Sequence, residues 1–255
     1  MRNSKVIAKW REGKTAKMAT MGLFNPAMIA QAAEQGYDAI WLDNEHRAMA
    51  KREIQALMAF FRVYDIDCML RPHTFEKTSL YRFLEDGATG LMIPHVSTVE
   101  KAELLVDAVK FPPIGDRGLD AAGFDSDFQR YDADEYVAWA NRETFLVVQI
   151  ETPQAVENVD SIAAVEGVDC LFLGPGDLGL RYRQMGDSDG SMLEAAYEKV
   201  AEAAKKHGKQ WSAPALSKDD LHARLDQGIG LVARGGEFEF VKSGLARSAA
   251  EFEGR

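Results

Sequence analysis

The chain has 255 residues, 46% of them hydrophobic and 27% charged, with 8 prolines and no Ser-, Gln- or Gly-rich tract. That composition belongs to an ordinary folded globular protein and excludes disordered and fibrous classes. Thirty Lys and Arg against forty Asp and Glu give a net charge of -10, and the basic residues are scattered along the chain, which argues against nucleic acid as a partner.

No apolar run reaches the roughly 20 residues of a membrane helix, and the opening stretch MRNSKVIAKWREGK lacks the apolar core of a signal peptide. A cytoplasmic protein with no membrane partner is expected. Eight short β-rich runs follow in order: 15–22, 38–43, 68–72, 90–96, 144–150, 169–174, 209–215 and 230–234. They are nearly continuous in apolar residues, the pattern of strands covered on both faces, and they do not alternate as an open antiparallel sandwich would. Cys68 and Cys170 lie inside two of these runs with no second Cys or His at ligand spacing, so buried, reduced thiols are expected.

The intervening segments carry helix punctuation. Asn25-Pro26 reads as an N-cap followed by a first helical residue, Gly36 closes that helix, and Thr152-Pro153 repeats the opening signal. Ser97 with Glu100, and Ser191 with Glu194, have capping-box spacing. Ile54, Leu57, Met58 and Phe61 make one helix face, and Leu80, Phe83 and Leu84 another. Gly36, Gly87, Gly167 and Gly228 each stand as a helix-ending glycine before runs two, four, six and eight. Helix–Gly–strand units at every second strand predict a closed (β/α)8 barrel, a single domain over 1–255. Residues 111–131 form the one long irregular connection, a length that points to a functional loop.

In such a barrel chemistry sits at the C-terminal ends of the strands. Ionisable residues gather there: Asp43-Asn44-Glu45-His46 after run two, Arg71-Pro72-His73 after run three, His95 in run four, Gln149-Ile150-Glu151 after run five, and Asp177 after run six. Glu151 and Asp177 are two carboxylates on adjacent strand ends with no third Asp, His or Cys in either segment. As ligands they would leave most coordination positions to water or substrate, which suits Mg²⁺ or Mn²⁺ better than structural Zn²⁺. Each also admits a capping role, Glu151 on the helix opening at Thr152-Pro153 and Asp177 on a turn. Arg71 offers either a bidentate donor for a carboxylate or enolate, or an ion pair with Asp43 or Glu45. His46, in an acidic neighbourhood, is either a general acid–base or a hydrogen-bonded turn residue. His95, between Pro94 and Val96, reads as a packed strand end.

Covalent lysine chemistry is disfavoured, because Lys17 and Lys209 come early in their runs and fall at the opposite end of the barrel. GxxxxGK[ST], GxGxxG and GxSxG are all missing. Gly235-Gly236 reads as a tight turn or, alternatively, as a phosphate cradle.

The segments LDNEHRAM (42–49), LRPH (70–73), LEDGATGLMIPHVSTVEKAE (84–103), FPPIGDRGLD (111–120), VVQIETPQAVENVD (147–160) and VEGVDCLFLGPGDL (165–178) resemble the HpcH/HpaI aldolase family. The resemblance runs in register from about residue 15 to 180 and more loosely beyond. It implies a (β/α)8 TIM barrel whose C-terminal helix packs on a neighbouring subunit, in homo-oligomers such as hexamers built as trimers of dimers. It implies a class II pyruvate aldolase that uses Mg²⁺, Mn²⁺ or Co²⁺ and no organic cofactor, with a small 2-oxoacid and an aldehyde as partners. By motif, Glu151 and Asp177 would hold the metal, and His46 would be the base with Asp43 nearby. Arg71 would bind the 2-oxoacid, while Gln149 and the backbone at Gly176 and Asp177 would contact its pyruvyl moiety. Glu85 stands where an acidic residue tunes the histidine across a subunit interface.

Asn44 stands where Gly is often found and Gly179 where Ser is frequent. Arg47, Arg181, Arg183 and Trp211 have no assigned role; each Arg is either a handle for an acidic aldehyde or a solvated charge. Two rival activities remain at this stage. An acyl-CoA lyase of the citrate-lyase-β or malyl-CoA type uses a similar metal pair but needs a basic adenine-nucleotide site, and a non-catalytic 2-oxoacid-binding barrel would not need His46.

Overall fold

Near-continuous apolar runs are stable as strands only where both faces are shielded from water. A computed structural model, describing residues 1–253, shows how the chain achieves this. Its strands are β1 (Ala16–Met21), β2 (Ala39–Asp43), β3 (Asp67–Arg71), β4 (Gly90–Ile93), β5 (Phe145–Ile150), β6 (Cys170–Leu173), β7 (Gln210–Pro214) and β8 (Leu231–Gly236). They pair in sequence order, all parallel, and β8 closes on β1. Helices pack around the outside, so the expected (β/α)8 barrel is the observed architecture. The run at 90–96 is a shorter strand than the sequence indicates, ending at Ile93 so that His95 lies beyond it. Among the described residues no helix is long and apolar enough to cross a membrane.

Alternate strand residues divide between two apolar cores. Met18, Met69, Met92, Phe145, Val147 and Phe172 fill the lumen, while Ile40, Leu70, Leu91, Val148 and Leu171 face the helices. Gly90 has no side chain because a Cβ there would stand 2.2 Å from the Phe145 ring. Cys68 and Cys170 are buried and unpaired, as the sequence indicates.

The helix-ending glycines behave as the repeat implies. Gly87 and Gly167 have φ of +118° and +91°, and a Cβ would press on Phe124 at 2.7 Å and on Val106 at 2.6 Å respectively. Asn25 and Thr152 cap their helices through Met28 N–H and Ala155 N–H, each with proline first in the helix. The two capping boxes are corrected. Thr98, not Ser97, caps helix Val99–Val109, because the Ser97 hydroxyl is engaged with Thr152 Oγ1 at 2.9 Å. Gly190 precedes helix Ser191–Lys206, whose first N–H groups are taken by Asp189 Oδ1 at 3.0 Å and Asp187 Oδ1 at 3.3 Å, so Ser191 has no capping to do.

Residues 111–131 contain no helix or strand and fold around a buried Arg117. Its guanidinium donates to Asp125 Oδ2 at 3.1 Å and the Tyr136 hydroxyl at 2.8 Å, and Phe124 N–H donates to Glu85 O at 3.0 Å.

The end of the barrel opposite the strand C-termini is closed by the N-terminal helix Lys5–Arg11. Val6 and Ile7 join the lumen core, Trp10 meets Phe145 edge-on with ring centroids 5.4 Å apart, and its indole N–H donates to Gly230 O at 2.8 Å. Asp67, at the start of β3, pins this plug by accepting from the Ser4 hydroxyl at 2.6 Å and Val6 N–H at 2.9 Å while pairing with Arg2. Asp67→Ala leaves three donors without their acceptor. It should lower the unfolding free energy by about 3 kcal/mol in urea titration, and a loss under 1 kcal/mol would show that the plug is held by apolar contacts alone.

Candidate active site

Parallel pairing of β2 and β3 sets Asp43 beside Arg71. Arg71, with 9% of its side chain exposed, lies with its guanidinium carbon 4.6 Å from the centroid of the Trp41 ring. Its Nε donates to Asp43 Oδ1 at 2.9 Å and its Nη1 pairs with Glu45 Oε2 at 2.9 Å. Nη1 also lies 3.5 Å from Gln149 Oε1. Of the two readings of Arg71 the ion pair is observed, with both Asp43 and Glu45 as partners. Burial alone would raise the Asp43 carboxyl, but Arg71 and the N–H groups of Glu45 and His46 outweigh it and hold Asp43 below the usual carboxylate range.

Glu151, just past β5, is 3% exposed. Gln149 Nε2 donates to its Oε2 at 2.6 Å and His95 N–H to its Oε1 at 2.7 Å. Burial, with the charges of Asp177 and Glu45 adding to it, pushes its carboxyl above the ordinary range against the opposing pull of His95. Gly174 makes room for it, because a Cβ there would stand 2.9 Å from both Cβ and Oε2 of Glu151. Asp177, half exposed in the first turn of helix Pro175–Gln184, pairs with Arg181 at 3.0 Å. Among the described residues no group of three or more His, Cys, Asp or Glu side chains is assembled around a metal position.

His95 departs from its reading as a packed strand end. It is 45% exposed with φ at +56°, its Nδ1 lies 2.9 Å from Glu151 Oε1, and its Nε2 lies 3.7 Å from Glu45 Oε1. Strand β4 stops two residues earlier, so His95 turns sideways onto the carboxylates. His46 is 59% exposed on the turn after β2, with Nε2 3.5 Å from Glu45 Oε2. Sequence reasoning placed Glu45 and His95 at the strand ends and offered Glu45 as a partner of Arg71, but it missed the approach of His95 to Glu151 and Glu45 and the room that Gly174 leaves. Nothing local marked Gly174.

The remaining candidates divide. Gly176 is open, with nothing within 4 Å of a Cβ position. Glu85 ends helix Lys77–Glu85 beside Arg82 at 3.7 Å, and burial pushes its carboxyl up; it makes no hydrogen bond or ion pair with His46 within the chain. Trp211 is buried edge-on against Tyr197, at 6.3 Å between centroids. Arg183 is exposed, whereas Arg181 is engaged by Asp177. Gly235-Gly236 forms the last two residues of β8 and not a separate turn, and Cβ atoms there would meet Phe240 at 2.4 Å and Thr20 Oγ1 at 2.0 Å. Lys209 Nζ donates to Val165 O at 3.2 Å, and Lys17 sits early in β1, both away from the mouth.

The profile of the HpcH/HpaI aldolase/citrate lyase family matches residues 18–240. The chain belongs to this family. It is 32% identical over 246 residues to a hydroxypyruvate/pyruvate aldolase of Pseudomonas aeruginosa, covering 96% of this chain and 91% of the relative. It is 35% identical over 242 residues to a 4-hydroxy-2-oxovalerate aldolase of Novosphingobium aromaticivorans, covering 92% and 89%. The solved structure of an HpcH/HpaI aldolase from Desulfitobacterium hafniense superposes with a TM-score of 0.90 at 29% identity, covering 97% of this chain and 96% of that one. The protein is accordingly a lyase of the aldolase type.

Gly174→Ala forces the Glu151 carboxylate out of its place. A displacement near 1 Å should reduce kcat/KM for the aldolase reaction about 100-fold with the thermal midpoint nearly kept, and a loss under threefold in steady-state assays would show that Glu151 need not sit where it does.

Proposed function

We propose that this HpcH/HpaI enzyme is a divalent-metal-dependent class II aldolase that reversibly cleaves a 4-hydroxy-2-oxoacid to pyruvate, or a close 2-oxoacid, and an aldehyde. The observation that carries the reading is the charge distribution at the mouth. Glu151 is buried, pushed up in pKa by that burial and by the charges of Asp177 and Glu45, and linked through Gln149 to the ion-paired cation of Arg71.

Hard carboxylate oxygens that raise one another's pKa fit a hard divalent cation. Glu151 and Asp177 would hold it, with Mg²⁺, Mn²⁺ and Co²⁺ as the candidates, and leave the other positions to water and substrate. When bound, the cation supplies a Lewis acid for the carbonyl of the 2-oxoacid.

The chain's own residues do the rest. Arg71, clamped between Asp43 and Glu45 over Trp41, presents guanidinium N–H groups to the 2-oxoacid and to the enolate oxygen as charge develops there. Because its rotamer is already fixed, little order has to be imposed during the reaction. Gln149, bonded to Glu151 and within reach of Arg71, contacts the pyruvyl moiety together with the backbone at Gly176 and Asp177. His46, exposed at the rim, takes the proton of the C4 hydroxyl. The electron pair of that O–H bond becomes the aldehyde carbonyl, the C3–C4 bond breaks, and protonation of the enolate at C3 yields pyruvate. Asp43 positions Arg71 and, through the His46 N–H at 3.5 Å, the turn that carries the base.

Glu85 makes no contact with His46 in its own chain, so its tuning role belongs to an assembly in which a neighbouring subunit brings it near. The C-terminal helix Glu237–Ala250 supports an assembly, since it leaves Phe238, Val241 and Leu245 largely exposed along one face. A hexamer arranged as a trimer of dimers is the form we propose.

Metal-stripped protein offered a panel of 4-hydroxy-2-oxoacids should release no pyruvate in a coupled assay until Mg²⁺, Mn²⁺ or Co²⁺ is added, and Arg71→Lys should lower the restored rate about 100-fold. Equal release with and without metal would overturn the Glu151/Asp177 assignment; no release from any member would overturn the aldolase reading for these substrates.

A further inference from the structure

Glu151 and Asp177 are a sparse donor set, and the ring of His95 stands beside it. The His95 backbone N–H donates to Glu151 Oε1 at 2.7 Å, and Nδ1 of the same residue lies 2.9 Å from that oxygen. Two donors that bind one ion at about 2.1 Å each, at right angles to one another, lie about 3.0 Å apart. Nδ1 and Oε1 therefore already keep the spacing of adjacent ligands on a single cation.

Three features hold the ring there. Strand β4 ends at Ile93, and His95 follows with φ at +56°, a left-handed conformation that His adopts more readily than most side chains. The backbone hydrogen bond to Oε1 ties the residue to the carboxylate, so ring and carboxylate keep their separation. On the far side of the ring Glu45 Oε1 lies 3.7 Å from Nε2. Its charge favours the tautomer with the proton on Nε2, which leaves the Nδ1 lone pair turned to Glu151; carboxylates behind metal-bound imidazoles act in this way. The side chain is 45% exposed, so an ion can reach it from solvent.

We infer that His95 Nδ1 is a further protein ligand of the divalent cation, beside Glu151 and Asp177, and that it turns the site from Mg²⁺ toward Co²⁺. The inference rests on the metal-dependent reading above and gives His95 one of the positions left there to water. An all-oxygen donor set suits Mg²⁺, whereas an imidazole nitrogen favours the later transition ions. The alternative arrangement, an imidazolium that serves Glu151 as its counter-ion, excludes this one, because a proton on Nδ1 occupies the lone pair that the cation needs. His46 keeps the proton transfer, since it stands apart at the rim.

Pulsed electron paramagnetic resonance of metal-stripped protein loaded with Mn²⁺ reads the ligand directly. A coordinated imidazole should imprint nitrogen modulation on the Mn²⁺ echo. His95→Asn tolerates the positive φ and offers an amide oxygen in place of Nδ1, so it should abolish the modulation with Mn²⁺ still bound. His46→Gln should leave the modulation unchanged. In calorimetric titrations His95→Asn should lower the ratio of Co²⁺ to Mg²⁺ affinity at least about tenfold. Bound Mn²⁺ without nitrogen modulation in the wild type, modulation that survives His95→Asn, or an unchanged affinity ratio would overturn the ligand and leave the Glu151/Asp177 site standing. A wild type that binds no Mn²⁺ overturns both.

Discussion

A carboxylate cannot stay ionised in a dry protein interior without a counter-charge. Glu151 imposes that constraint on the mouth of this barrel. It is buried at the end of β5, and its two nearest acidic neighbours in charge, Asp177 and Glu45, make its position worse. The contacts that hold it, from Gln149 Nε2 and His95 N–H, fix its direction, and the His95 ring at 2.9 Å offsets its charge only in part. An arrangement of that kind costs stability in the free protein and becomes favourable when a cation arrives, which is the logic of a binding site.

Arg71 supplies the complementary half. Its charge is set by β2–β3 register, by Asp43 and Glu45, and by the Trp41 ring beneath it, which itself packs edge-on against Phe172 in the lumen at 5.3 Å. The lumen therefore reaches upward into the chemistry. Met and Phe side chains fill it, the N-terminal helix seals its far end, and Trp41 transmits that rigidity to the guanidinium. A preorganised donor needs no reordering as negative charge develops on the substrate.

The barrel was legible because its signals are local and repeated. Apolar runs of strand length alternate with helices, and helix-ending glycines such as Gly87 and Gly167 adopt the positive φ their place in the repeat requires. The strand-end rule drew attention to the segments that form the mouth, since β2, β3, β5 and β6 deliver Asp43, Arg71, Gln149, Glu151 and Asp177 together. Less local features escaped. His95 depends on where β4 stops, and that is decided by pairing with β5. The capping boxes failed because Ser97 is claimed by Thr152, 55 residues away, and because Asp187 and Asp189 serve the helix that Ser191 begins.

The buried charge of Glu151, with Asp177, is proposed to hold one divalent cation. Electron paramagnetic resonance titration of metal-stripped protein with Mn²⁺ tests it without any assumption about substrate. One Mn²⁺ should bind per chain, with the bound signal lost in both Glu151→Gln and Asp177→Asn variants that remain folded. Undiminished Mn²⁺ binding in those two variants, or no binding in a wild type that turns over substrate, would contradict it.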